Sequence, residues 1–249
     1  MSIANMNFKE RSLLFAKLAK IAYYSEKKAA SQAKRLGFTT TEFYNRDGAQ
    51  AYRFMNTKDV VIACRGTEPT EWNDIAADLK AIPVMAETVS RVHKGFKEEV
   101  DELWPMVLED LERTVNQKKT LWFCGHSLGA AMATIMASRC HLYPDVKAVE
   151  ELYTYGSPRV GWAGYCRSLG VTHHRWRNNN DIVTKVPLWI MGYRHHGTEH
   201  YITSAGTIGK PGLVDWAKGI WDGVKRKKFD SIGDHDIQAY HDQIDRALK

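Results

Sequence analysis

The chain has 249 residues, 44% of them hydrophobic, and it carries a formal charge of +6. Its 8 tryptophans, 11 tyrosines and 8 phenylalanines supply enough large apolar side chains for a substantial core, which argues against a disordered chain. The charge favours contact with anionic surfaces, either phospholipid head groups or nucleic acid, although a soluble protein that happens to be basic is the simpler interpretation. A nucleic-acid-binding function rests on charge alone, because no recognition motif accompanies it.

The first 20 residues contain five charged side chains and no uninterrupted apolar core. A secretory signal needs such a core, so this pattern predicts a cytoplasmic protein, or a secreted one without a visible signal peptide. The four cysteines show no CxxC pair and no metal-ligand spacing, and we expect them to be reduced and buried. They are Cys64, Cys124, Cys140 and Cys166.

The N-terminal part of the chain predicts a helix followed by a hairpin. Apolar residues at helical spacing between positions 14 and 21 predict a helix that packs on a core. The segments 40–45 and 50–55 alternate loosely around the turn dipeptide Asp47-Gly48, which predicts two antiparallel strands joined by a tight turn.

The rest of the chain alternates between buried strands and helices. Strands are predicted at 59–64, 120–124, 152–155 and 174–177, and helices at 92–116, 128–140 and 160–169, the first of them kinked at Pro105. This alternation predicts an α/β fold in one domain, residues 1–249, with a mostly parallel sheet flanked by helices. Ligand chemistry in such folds lies at the carboxyl ends of the strands.

The stretch 121–138 contains no Asp, Glu, Lys or Arg over eighteen residues, so by length and apolarity alone it could cross a membrane. Its centre reads Gly-His-Ser-Leu-Gly, with a predicted strand before it and a predicted helix after it. In that context Ser127 is a candidate nucleophile on a sharp strand-to-helix turn, with Gly125 and Gly129 relieving the crowding. A buried serine in a tight turn is the alternative, and a membrane helix is disfavoured by the polar and glycine residues at its middle.

A nucleophilic serine needs a carboxylate and a histidine base, in the chain order Ser, Asp or Glu, His for this kind of sheet. Asp181 follows a predicted strand, which puts it at the catalytic edge, although an Asx-type turn would use the same residue. Chemistry alone leaves the base open among the five histidines that follow Asp181. They are His195, His196, His200, His235 and His241.

Several short blocks occur in a fixed order along most of the chain. They are RGT (65–67), VHKGF (92–96), GHSLGA (125–130), YTYGSPRVG (153–161), NDIV (180–183), YRHHGTE (193–199) and Asp234-His235 with Tyr240. The serine block alone is a weak signal, but the ordered set resembles the class 3 (fungal-type) triacylglycerol lipases of the α/β-hydrolase fold.

That resemblance implies Ser127 as nucleophile, Asp181 as carboxylate and His235 as base, with His195 in a structural block. It also implies an oxyanion hole made by Thr67 and the Leu128 N–H, the latter at the start of the helix that follows the serine. The implied reaction is acyl transfer on acylglycerol esters without a metal or cofactor. A phospholipase A, a feruloyl-type esterase and a non-catalytic lipid-binding or scaffold protein are the alternatives, while the oligomeric state stays open.

Two amphipathic segments suggest contact with lipid. The resemblance implies a lid over 68–83, where Trp72, Ile75, Ala76 and Leu79 would form an apolar stripe, although an ordinary surface helix explains the stripe equally well. A second apolar stripe between positions 213 and 224 precedes the basic run 225–228, which could dock on an anionic bilayer. A helix that covers the core and ends in solvated charges is the simpler interpretation of this second segment.

Overall fold

The computed structural model describes residues 2–66, 81–209 and 233–249. Its strands in chain order are β1 (Thr40–Arg46), β2 (Ala49–Met55), β3 (Asp59–Cys64), β4 (Pro83–Met85), β5 (Arg91–His93), β6 (Thr120–His126), β7 (Val149–Tyr155), β8 (Gly161–Trp162), β9 (Thr172–Asn178), β10 (Tyr193–Arg194), β11 (Thr198–Ile202) and β12 (Ile208–Gly209). Its α-helices are α1 (Phe8–Ile21), α2 (Glu26–Arg35), α3 (Lys94–Glu112), α4 (Thr114–Gln117), α5 (Leu128–Arg139), α6 (Ala163–Ser168) and α7 (Ile237–Ala247).

A sheet of eight strands forms the centre of the described chain, in the order β1-β2-β3-β6-β7-β9-β11-β12. The five strands from β3 to β11 run parallel to one another, and the pairs at both edges are antiparallel. The predicted mostly parallel sheet is therefore confirmed. At the antiparallel edge, Asp47 and Gly48 take φ angles of +47° and +91°, which suits the tight turn that the dipeptide predicted.

Helices cover both faces of this sheet, and alternate residues of each central strand enter two separate cores. Val60 and Ile62 face the core formed with α3, α5 and α6. Val61 and Ala63 face the core formed with α1, α2 and α7. Burial on both faces explains why the central strands read as continuous apolar runs.

A smaller sheet of four short strands has the order β10-β8-β5-β4, and it corrects two predicted helix boundaries. The helix predicted over 92–116 begins only at Lys94, because the preceding residues pair with β4 and β8. It ends at Glu112, since Arg113 is extended and separates it from α4. The helix predicted over 160–169 begins only at Ala163, because β8 pairs with β5 and β10.

The apolar stretch 121–138 divides between β6, the turn at Ser127 and α5. Among the described residues, no helix is long and apolar enough to cross a membrane. All four cysteines are free and buried, as the sequence predicted. The implied lid lies outside the described residues up to position 80, and so does the second amphipathic segment with its basic run.

Candidate active site

Ser127 occupies a strained turn between β6 and α5. Its φ of +60° and ψ of −129° are unusual for a residue with a side chain, and strain of this kind is concentrated at functional sites. The turn is held from the neighbouring strand, where the Tyr155 carbonyl accepts the Ser127 N–H at 3.0 Å. The side chain is thereby fixed at the carboxyl edge of the parallel strands.

The two glycines of the turn allow the backbone segments to approach each other closely. A Cβ on Gly125 would overlap the Gly129 carbonyl, and a Cβ on Gly129 would overlap the Cys64 carbonyl at the end of β3. Only glycine therefore lets the first turn of α5 pack against the ends of β3 and β6. This packing brings the positive end of the helix dipole to the serine.

Asp181 lies three residues after β9 and is fully buried. One carboxylate oxygen, Oδ1, accepts the Val183 N–H at 2.9 Å. The other, Oδ2, accepts the Tyr240 hydroxyl at 2.6 Å and lies 2.9 Å from His235 Nδ1. Burial, followed by the adjacent carboxylate, raises the pKa of Tyr240 well above its usual value, so the phenol stays protonated and donates.

His235 lies just before α7 and completes a chain of hydrogen bonds to the serine. Its Nε2 is 2.7 Å from Ser127 Oγ, across a separation of 108 residues. The preceding residue anchors this loop to the end of β9, because the Asp234 carboxylate accepts the Asn179 amide and the Asn180 N–H at 3.1 and 3.2 Å. Asn178 Nδ2 donates to the Asp234 carbonyl at 3.0 Å.

The position of Gly156 shows how closely the backbone packs against Asp181 and His235. Gly156 has a φ of +59°, and a Cβ there would lie 2.8 Å from both Asp181 Oδ2 and His235 Nδ1. A side chain at this position would therefore displace the carboxylate from the imidazole.

A second buried histidine, His126, makes a hydrogen bond to the backbone of His235. His126 Nε2 lies 2.6 Å from the His235 carbonyl, which can only accept, so this nitrogen carries the proton. Burial, followed by the neighbouring His235, lowers the pKa of His126 well below its usual value. The ring is therefore neutral, and its Nδ1 accepts the Tyr23 hydroxyl at 2.8 Å.

The structure brings together three of the five residues that the sequence singled out, namely Ser127, Asp181 and His235. Leu128 is the first residue of α5, where its N–H belongs to the positive end of the helix. Thr67 lies outside the described residues. Its neighbour Gly66 lies against the serine turn, because a Cβ there would be 2.7 Å from the His126 carbonyl.

The other candidate histidines take part in contacts elsewhere. His195 lies 2.8 Å from the Thr184 carbonyl, His196 is 3.1 Å from His173, His200 is 3.1 Å from His174, and His241 is 3.0 Å from Asp242. Among the described residues, no group of three or more histidine, cysteine, aspartate or glutamate side chains could hold a metal ion.

The sequence did not predict a role for Tyr23. His126, Gly156 and Tyr240 belong to the sequence blocks that carry the family resemblance, but no role was predicted for them. The left-handed φ of Gly156 carries no signal in a single sequence. Tyr240 could have been predicted to lie near the base, because it is in the helix that begins two residues after His235.

Comparison with known proteins gives consistent matches. The family model described as "Lipase (class 3)" matches residues 61–191, just over half of the chain. A lipase from Rhizomucor miehei is 34% identical over 169 residues, which cover 62% of this chain and 45% of the relative. The "Secreted mono- and diacylglycerol lipase A" from Penicillium cyclopium is 39% identical over 111 residues, 41% of this chain and 35% of the relative. The chain thus spans less than half the length of these curated relatives.

The fold itself matches solved structures over most of the chain. The structure of the triacylglyceride lipase from Rhizomucor miehei is similar with a TM-score of 0.70 and 22% identity, over 92% of this chain and 94% of that one. At this level of identity the likeness shows the fold alone. The predicted α/β-hydrolase fold is thereby confirmed.

Proposed function

Because this chain belongs to the class 3 lipase family, we propose that it is a serine carboxylic ester hydrolase that cleaves acylglycerols. The observation that carries the proposal is the hydrogen-bonded chain from Asp181 through His235 to Ser127, with distances of 2.9 and 2.7 Å. A nucleophile, a base and an orienting carboxylate at such distances form the arrangement that activates a serine hydroxyl.

In the proposed mechanism, His235 Nε2 takes the proton of Ser127 as Oγ attacks the ester carbonyl carbon. Asp181 keeps the proton on Nδ1 and stabilises the imidazolium that forms. The imidazolium then protonates the departing alcohol as the acyl-enzyme forms. Water, deprotonated by His235, attacks the acyl-enzyme, and the fatty acid leaves as the proton returns to Ser127.

The negative charge on the carbonyl oxygen needs donors fixed in advance. We propose the Leu128 N–H and Thr67 for this task. The position of Leu128 at the start of α5 and the contact of Gly66 with the serine turn support the assignment. The loss of one such donor costs roughly 3–4 kcal/mol of transition-state stabilisation. Neither this step nor the proton transfers require a metal or cofactor.

The experiment that tests the proposal compares Ser127→Ala with Ser138→Ala on p-nitrophenyl esters from acetate to palmitate. Ser138 is a matched control because it is buried on the same helix, where it contacts the Ile135 carbonyl and Tyr165. We expect Ser127→Ala to lower kcat by at least about 10⁴-fold and Ser138→Ala to leave it nearly unchanged. Full hydrolysis by Ser127→Ala would overturn the proposal.

Phospholipase A activity is the second candidate, and the cationic side chains near Asp181 favour it. Arg159, Lys185 and Arg194 lie in or against the segment that follows this carboxylate. Emulsified triolein beside phosphatidylcholine separates the two activities. Activity on acetate esters alone would instead indicate an esterase such as a feruloyl-type enzyme, and no turnover of any ester would indicate a lipid-binding or scaffold protein.

We also propose that residues 1–249 act as one catalytic domain with a lid over 68–83. The single central sheet, which both cores share, supports the domain assignment. For localisation, similarity to a secreted lipase from Penicillium cyclopium favours secretion over the cytoplasm.

A further inference from the structure

A turn of four consecutive apolar residues is exposed in the segment that follows Asp181. Leu188, Trp189, Ile190 and Met191 are 45% to 70% exposed, and the last three form a single 3-10 turn. Ile182, directly after Asp181, is 52% exposed as well. Single exposed apolar residues are ordinary, but a continuous run of four indicates a surface that meets something apolar.

The segment that leads into this turn is fixed by hydrogen bonds, although the apolar side chains of the turn are exposed. The Arg159 side chain donates to the carbonyls of Lys185 and Pro187, and its backbone N–H donates to Val186 at 2.8 Å. On the other side, Arg194 donates to the Trp189 carbonyl at 2.6 Å. The apolar tip is thus presented on a fixed support, which lowers the conformational entropy lost when it binds.

The surroundings of the turn are positively charged. The described cations in the segment of the turn or in contact with it are Arg159, Lys185 and Arg194, and the carboxylates Asp181 and Asp234 lie near Lys185. Burial and then the nearby arginines Arg175, Arg177 and Arg194 lower the pKa of Arg159. Arg175 and Arg177 contact Glu199 at 3.0 and 3.7 Å, so the positive charge that an anionic surface would complement lies at Arg159, Lys185 and Arg194.

The small area of the exposed turn 188–191 limits the kind of partner that it can bind. Four partly exposed side chains on one turn offer far less than the roughly 800 Å² per partner that a stable protein interface buries. Insertion of a few apolar side chains into a bilayer needs no such area. Tryptophan and arginine side chains are also suited to the boundary between head groups and acyl chains.

We propose that the turn 188–191 inserts into the surface of an anionic phospholipid bilayer, with Arg194 and Lys185 meeting the head groups. Because Ile182 and Asp181 begin the same segment, this docking brings the bilayer next to Ser127 and His235. The docking itself does not depend on the proposed hydrolysis, although its use in delivering a lipid ester rests on that function.

Vesicle co-sedimentation of the full chain carrying Ser127→Ala tests the docking without lipid being consumed. The vesicles contain phosphatidylcholine alone or phosphatidylcholine mixed with phosphatidylglycerol. The double variant Trp189→Ser/Ile190→Ser is compared with the control Val115→Ser/Leu142→Ser. Both control residues are exposed, at 52% and 46%, and lie near the starts of β6 and β7, at the sheet edge opposite Ser127.

We expect the Trp189→Ser/Ile190→Ser variant to bind mixed vesicles about tenfold more weakly or worse, and the control to bind like the parent. We also expect weaker binding of the parent to phosphatidylcholine alone, by about tenfold. In chains that keep Ser127, the double variant should hydrolyse a soluble acetate ester at the parental rate but lose activity on mixed vesicles.

Equal binding by the double variant and its parent would overturn the proposal, and so would equal losses in the double variant and the control. A change of the double variant from dimer to monomer in light scattering, with vesicle binding intact, would assign the turn to self-association instead. If the parent binds vesicles but hydrolyses no ester, the docking stands and the proposed function fails.

Discussion

The position of His235 depends in part on His126, a neighbour that does no chemistry itself. His235 is held at three points, since Asp181 contacts its Nδ1, Ser127 contacts its Nε2, and His126 donates to its backbone carbonyl. His126 has to stay neutral, because a second positive charge would oppose the imidazolium that forms on His235. The ring centroids of the two histidines are only 4.6 Å apart, and burial keeps His126 uncharged.

His126→Phe should therefore lower kcat by about 10- to 100-fold while KM changes little, since the base loses the donor that positions its backbone. His126→Gln retains a donor and should recover part of the loss. Steady-state kinetics on a soluble ester across pH 6 to about 9 make the comparison. If the phenylalanine and glutamine variants lost the same activity with the same pH profile, the ring would act through packing alone.

The helix α3 is tied to the antiparallel edge of the sheet by a buried ion pair. Arg53 of β2 contacts both carboxylate oxygens of Asp110 at 2.8 and 2.7 Å, and both side chains are almost fully buried. Tyr44 donates to the same carboxylate, and burial followed by Asp110 raises the pKa of this phenol. A charge in such a place destabilises the fold unless its partner is present.

Arg53→Met should therefore lower the free energy of unfolding by about 3–5 kcal/mol, because Asp110 would remain buried without its main partner. The double variant Arg53→Met/Asp110→Leu removes both charges and should recover most of that loss. Urea denaturation followed by circular dichroism measures both. A loss below about 1 kcal/mol for the single variant would show that Tyr44, Asn116 and Arg113 satisfy the carboxylate without Arg53.

Five histidines of the protein are buried or partly buried in surroundings that favour the neutral ring. Burial is the largest cause that lowers the pKa of all five, and the pKa of His200 falls to about 4. The five are His126, His173, His195, His196 and His200. In the unfolded chain each would take up a proton near pH 6.5.

Because the unfolded state binds more protons than the folded state below pH ~6.5, the free energy of unfolding should fall as the pH decreases through that value. Above pH ~6.5 these histidines are neutral in both states, so they do not lower the free energy of unfolding there. Each histidine that stays neutral in the fold adds at most about 1.4 kcal/mol per pH unit to the slope. Urea midpoints at a series of pH values from about 7 to about 5 measure this slope.

His195→Gln provides the control, since glutamine keeps a donor for the Thr184 carbonyl but cannot be protonated. Its unfolding free energy should vary less steeply with pH than that of the parent. An unchanged slope would show that His195 does not contribute to the acid sensitivity.

The success of the sequence-based predictions depended on how local each feature is. The serine turn, the strand before it and the helix after it were predicted in place, because the backbone angles of Ser127 depend on residues within two positions. The helix α2 was missed, since its buried face offers only the small side chains of Ala29 and Ala33 and no large apolar residue. The boundaries of α3 and α6 were wrong at their starts, because pairing with distant strands overrode helical spacing.

The sequence by itself determined the alternation of strands and helices and the position of the elbow, because hydrophobic periodicity and glycine placement act between neighbours in the chain. Residue chemistry left five histidines open, and the family resemblance implied His235. Only the tertiary structure brought His235 to Ser127 across 108 residues and placed the neutral His126 against the His235 backbone. It also left the turn 188–191 exposed, with Arg159 and Arg194 in contact with its segment. These features depend on contacts between segments that are distant in the chain, and such contacts form only when the whole sheet is assembled.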